Sequence, residues 1–136
     1  MISRTSDLPD KAFILVHGSF HGAWAFEKLA PRLAQHGHLV IARDLPGHGL
    51  RARFPRSYAA PHLEPLALSV DRWGGIPRTY LSCTGDNAFP VAVHRRFVRE
   101  ADAFTPDNPT DMREMETSHS PFLSQPERLA EVLLGL

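Results

Sequence analysis

A chain of 136 residues, 43 % of them hydrophobic, is long enough for one domain with a buried core and too short for two ordinary ones. Fifteen Lys and Arg balance fifteen Asp and Glu, and this zero formal charge argues against a general nucleic-acid binder, which needs excess cations to displace counterions. The single cysteine, Cys83, excludes an internal disulfide, Met1 to Lys11 lacks the apolar core of a secretory signal, and no apolar run nears ~20 residues, so a soluble cytoplasmic chain with no membrane partner is expected.

Phe13-Ile14-Leu15-Val16 is a short apolar run, and it reads as a strand buried on both faces. Leu39-Val40-Ile41-Ala42 reads the same way and is closed by Asp44 and the turn signal Pro46-Gly47. Between them, Leu29/Leu33 and Ala30/Ala34 are i,i+4 pairs, Pro31 sets the start of regular helix within a turn of itself, and Gly37 stops it. Strand, helix, strand over this length is a right-handed βαβ unit. Pro46 to Arg78 is rich in proline and glycine and reads as loop, with only Leu63 to Val70 able to support a short ordered segment.

Regular structure resumes at Thr79–Cys83, a strand ending in Thr84-Gly85-Asp86. Pro90 opens a helix with Val93, Phe97 and Ala101 on one face. Met112 to Glu116 alternates as a half-exposed edge strand does. Ser124-Gln125-Pro126-Glu127 has the spacing of a capping box before a final helix bearing Leu129, Val132, Leu133 and Leu136. Strands are therefore predicted near residues 12–17, 38–43, 79–84 and 111–116, and helices near 24–36, 90–102 and 125–135.

His17-Gly18-Ser19-Phe20-His21-Gly22-Ala23-Trp24 follows the first strand. A small residue there lets the backbone turn sharply and aim an N–H into a cleft, as half of an oxyanion hole requires, although an ordinary glycine turn gives the same spacing. Asp86 by itself is an Asp in a Gly-Asp-Asn turn, and His119 by itself is a loop histidine. His17/His21 and His36/His38 have spacings seen in metal sites, but no acidic or cysteine partner stands at ligand distance in sequence. Arg51, Arg53 and Arg56 with Phe54 and Tyr58 form a small basic-aromatic patch that reads as a solvated loop.

ILVHGSFHGAW followed by LVIARDLPGHG resembles the start of α/β-hydrolases of the plant esterase and hydroxynitrile-lyase branch. RTYLSCTGDNAFP and TSHSPFLSQP resemble the loops that hold that family's catalytic acid and histidine. The resemblance implies a truncated α/β-hydrolase fold, a mostly parallel sheet with flanking helices. It is laid out as one partial domain over 1–136: an N-terminal βαβ half over 1–49, a linker over 50–76, and a C-terminal half over 77–136. It implies Asp86 as the carboxylate that orients a histidine, His119 as general base and acid, and the Gly18-Ser19-Phe20 loop as oxyanion and substrate loop, with the Ser19 N–H as first donor. No cofactor is implied.

The nucleophile of this fold sits in Gly-x-Ser-x-Gly, ahead of the acid in sequence. No serine of this chain has glycine at both −2 and +2. The family segment between Gly49 and about Asp71, with its elbow and cap, has no counterpart. Ser82 and Cys83 lie in a core strand, which leaves Ser19 as the weak substitute nucleophile. The expected function is ester or amide hydrolysis of a small apolar ester-like substrate by a triad of which Asp and His remain. The alternatives are a catalytically inert remnant or binding module, and a hydroxynitrile-lyase-like lyase. Strands left without neighbours are expected to favour self-association.

Overall fold

Four short strands form where the sequence offers consecutive or alternating apolar residues, and they pair in parallel. The computed structural model, which describes residues 11–50 and 68–136, places β1 at Ala12–Leu15, β2 at Leu39–Ala42, β3 at Thr79–Cys83 and β4 at Asp111–Met115. β1 pairs with β2 in the register Ala12 to Leu39 through Leu15 to Ala42. β3 pairs with β4 from Thr79 opposite Asp111 to Cys83 opposite Met115. Among the described residues these are two separate two-stranded sheets. The described residues fall into two compact units, 11–50 with 122–136, and 68–121. The Arg51–Tyr58 patch and most of the 50–76 linker lie outside the described residues.

In the first unit a 3₁₀ turn at Ala23–Phe26 leads into α1, Leu29–Gln35. Pro31 is the third residue of α1, where its missing N–H leaves no internal bond unmade. Gly37, at φ +81°, takes the left-handed turn that releases the chain towards β2. α1 packs against β2 and against α4, Pro126–Leu134, so that Phe26, Leu29, Leu33, Leu129 and Ala130 form the core. An Arg32–Glu127 ion pair and a hydrogen bond from Lys11 Nζ to the Leu134 carbonyl (2.9 Å) tie the C-terminal helix to the rest of the unit.

Two expectations are corrected in this unit. Among the described residues of this unit, β1 and β2 are covered on one face. Their exposure alternates along each strand, and the register partners Ile14 and Ile41, with Leu39, face outward, Ile14 being 73 % exposed. The apolar run encodes strands made to be sandwiched, and α1 supplies one of the two covers. The cap of α4 also differs: Gln125 holds the N-cap position and Pro126 the first turn, because Ser124 closes a separate short turn, α3, at Pro121–Ser124.

In the second unit α2, Val91–Phe104, lies on β3. Its buried residues are His94 and Val98, while Phe97 is exposed and meets the ring of Phe89 at 6.1 Å. The expected Val93–Phe97–Ala101 face is thus rotated by one residue, because the His94 ring finds polar partners inside that an apolar side chain would leave unpaired. Within the stretch read as loop, Trp73–Gly75 makes a 3₁₀ turn. Arg78 stacks over Trp73 at 4.3 Å, and the Asn108 amide donates to the carbonyls of Gly74 and Ile76 at 2.7 and 2.8 Å.

Leu33 is 0 % exposed, and Leu33→Ala should destabilise the chain by about 2–5 kcal/mol through lost transfer energy and a cavity. Ile14→Thr, on the open face, should cost less than about 0.5 kcal/mol. Urea unfolding of both variants against the parent chain checks the contrast.

Candidate active site

The loops that follow β3 and β4 stay laced together beyond the strands. Thr84 donates to the Met115 carbonyl (2.9 Å) and Gly85 to that of Thr117 (3.0 Å). A Cβ on Gly85 would stand 3.0 Å from the Thr117 carbonyl oxygen, so any larger residue would press the two loops apart by a few tenths of an ångström. The lacing delivers Asp86 and His119 to each other: His119 Nδ1 stands 2.8 Å from Asp86 Oδ2.

Asp86 is held from all sides. Its Oδ1 accepts the backbone N–H groups of Ala88 (2.7 Å) and Phe89 (3.0 Å), an Asx turn that leads through Pro90 into α2. Its Oδ2 also lies 3.2 Å from His94 Nε2. The Asp86 side chain is 4 % exposed and that of His119 50 %. Burial pushes the carboxyl up, but the hydrogen bonds from His119, Phe89 and Ala88, with attraction to His119, outweigh it and bring the group down to about 2. An ionised carboxylate only accepts, so both imidazole nitrogens facing it carry protons. On His119 this makes Nε2 the basic nitrogen.

Ser82 Oγ, 0 % exposed, lies 2.9 Å from His94 Nδ1. Ser82, His94 and Asp86 therefore follow the serine–histidine–acid order of a triad, inside the core and out of reach of a substrate. Cys83, next to it, is buried as well, and burial followed by the charge of Asp86 pushes its thiol up. His94 was not singled out from the sequence. Its one signal is position: it precedes Val98 by four residues, on the stripe of α2 that faces the core.

Gly18, Ser19 and Phe20 belong to the first unit, and the loop is fixed from within that unit. His17, buried, accepts the Leu45 N–H at Nε2 (2.9 Å), so its Nδ1–H donates to the Gly18 carbonyl (2.9 Å). Asp44 Oδ1 accepts the Ala23 N–H at 2.7 Å. A Cβ on Gly49, at φ +83°, would strike the Asp44 carboxylate at 2.1 Å. Gly18 to His21 closes a turn through the His21 N–H and Gly18 carbonyl (3.4 Å), and the His21 ring is 2.8 Å from the Ser19 carbonyl. Phe20 occupies the turn position that favours glycine, at φ +63°, with its ring 97 % exposed. His17 and His21 are thus engaged in shaping the loop, and His36 bonds the Arg32 carbonyl. Among the described residues no group of three or more His, Cys, Asp or Glu is gathered as metal ligands require.

The lowered Asp86 pKa has a defined pH consequence. A carboxyl at about 2 in the folded chain and about 3.9 in the unfolded one stabilises the fold above about pH 4, and this contribution is lost as pH falls through about 2. Asp86→Asn should lower stability at neutral pH and flatten the decline between pH about 4 and 2. Urea midpoints of both proteins across that range test it.

No family model matches the chain. It is 33 % identical over 98 residues to methylesterase 9 of Arabidopsis thaliana, a match covering 61 % of this chain and 38 % of that protein. It is 46 % identical over 41 residues to an alpha-hydroxynitrile lyase of the same plant, covering 30 % of this chain and 16 % of the relative. The chain thus spans well under half the length of the curated relatives it matches. Among solved structures it resembles a pyrethroid hydrolase at a TM-score of 0.65 and 17 % identity, covering 94 % of this chain and 96 % of that one. The parallel strand pairs, the loops that follow them and these likenesses agree: the chain has a truncated α/β-hydrolase fold and is similar in sequence to plant methylesterases and to a hydroxynitrile lyase.

Proposed function

We propose that the chain holds the acid and base of a serine-type ester hydrolase for small apolar ester-like substrates, without a serine of its own in the nucleophile's place. The observation that carries this reading is the 2.8 Å contact between Asp86 and His119 at the ends of adjacent parallel strands. The methylesterase and pyrethroid hydrolase among its relatives support the ester class. In the assigned roles, His119 Nε2 takes a proton from a nucleophile and returns it to the leaving group. Asp86 keeps the imidazole in the tautomer that makes this possible and stabilises its cation. The resemblance assigns the Ser19 backbone N–H, between Gly18 and Phe20, as an oxyanion donor.

The missing elbow decides the expected rate. Loss of the nucleophile costs a serine hydrolase about 10⁶ in turnover even when the rest of the site is intact. The family's second oxyanion N–H comes from the residue after that nucleophile, so it has no counterpart either. The hydroxynitrile-lyase likeness supports a second reading, cleavage of an α-hydroxynitrile. By the resemblance that reaction uses the same triad, so the same gap weakens it.

The purified chain should hydrolyse p-nitrophenyl acetate no faster than a matched control protein, and it should release no cyanide from an α-hydroxynitrile. A free histidine attacks the activated ester slowly, so His119→Ala and Asp86→Ala belong in the comparison. Saturable ester turnover that falls sharply in both variants would show that the chain does contain a nucleophile. Fluorophosphonate labelling with Ser19→Ala as control would then locate it. Cyanide release that depends on both residues would favour the lyase.

A further inference from the structure

A carboxylate that serves only to orient one histidine needs one partner, and Asp86 has four. Oδ1 is filled by two backbone N–H groups, and Oδ2 is shared between the half-exposed His119 and the buried His94. A carboxylate offers roughly four acceptor positions, so His94 takes the last of them. We propose that His94 is a positioning residue: it locks Asp86 in the rotamer from which Asp86 fixes the His119 tautomer.

The lock is itself fixed. His94 is 4 % exposed, its ring lies 5.7 Å from that of Tyr80, and it leaves α2 one turn after the Asx turn that Asp86 organises. Because Asp86 is ionised, His94 must present Nε2–H to it. Neutral His94 then accepts at Nδ1, and the proton offered there among the described residues is that of the Ser82 hydroxyl, 2.9 Å away. Asp86 thus sets the tautomer of His94, Ser82 fills the nitrogen left over and holds the ring in place, and Asp86, held in turn by His94, selects the tautomer of His119. Without His94, Oδ2 keeps only the half-exposed His119 ring of its two imidazole partners, and the carboxylate has an unpaired buried lone pair. That favours rotation or protonation, and either one releases the His119 Nδ1–H.

This inference rests on the proposed acid–base pair, and the test separates the two. Long-range ¹H–¹⁵N correlation spectra of the whole chain read each imidazole's tautomer above about pH 8, where an ordinary histidine of pKa about 6.5 is neutral. The parent chain should show His119 as Nδ1–H and His94 as Nε2–H. Asp86→Asn should abolish the His119 preference. If it does not, the acid–base pair fails and this proposal fails with it. With that control positive, His94→Leu and Ser82→Ala should each lose most of the His119 Nδ1–H form. His94→Gln, whose amide N–H can replace Nε2–H, should keep it. Unchanged His119 spectra in a folded His94→Leu, or in Ser82→Ala if the former does not fold, would make His94 a core-filling residue and overturn the proposal, as would His94 in the Nδ1–H form.

Discussion

A buried carboxylate that stays charged must have every acceptor position filled, and the local architecture of the second unit follows from that demand at Asp86. The two N–H groups on Oδ1 set the turn that ends in Pro90, and Pro90 in turn sets the first residue of α2. Once α2 starts there, His94 comes round one turn later onto the same carboxylate. The lacing of Thr84 and Gly85 to the β4 side brings His119 in from the other direction. Moving Asp86 by one residue would break the Asx turn, the helix start and both imidazole contacts at once.

Parallel pairing gives each unit a directional logic. The crossover from β1 to β2 and that from β3 to β4 each return the chain in the same sense, so the loops after paired strands emerge at one end of each pair. In the first unit these are the His17–Trp24 loop and the Asp44–Gly49 loop, clasped by His17 and Asp44. In the second they are the Asp86 and His119 loops. Ligand chemistry at the carboxyl ends of strands is general to open α/β sheets, because there helix N-termini and loop N–H groups converge.

The strands were legible because consecutive branched residues have few alternatives, and all four fall within a few residues of where periodicity puts them. What composition could not convey was how many covers each sheet has, since Ile14 and Ile41 read as core in any sequence. The helix α2 was legible as an element but not as a face. Val93 and Phe97 outrank His94 in hydrophobicity, and the polar partners that reverse the ranking, Ser82 and Asp86, are twelve and eight residues away in sequence. Asp86 and His119 were singled out from motif order in a resembling family, and neither residue announces itself chemically without it. Phe20 at positive φ had no signal, because nothing local distinguishes it from an ordinary loop aromatic.

The single cysteine ends β3 with its thiol packed away and its ionisation suppressed by burial and by the Asp86 charge. Only a thiolate that reaches solvent reacts with an alkylating agent. Alkylation of Cys83 therefore has to wait for β3 to separate from its surroundings, and its rate measures how often that happens. Since Cys83 is three residues from Asp86, the protein contains a chemical clock for the integrity of the structure around that carboxylate, readable from the mass that the alkylating agent adds.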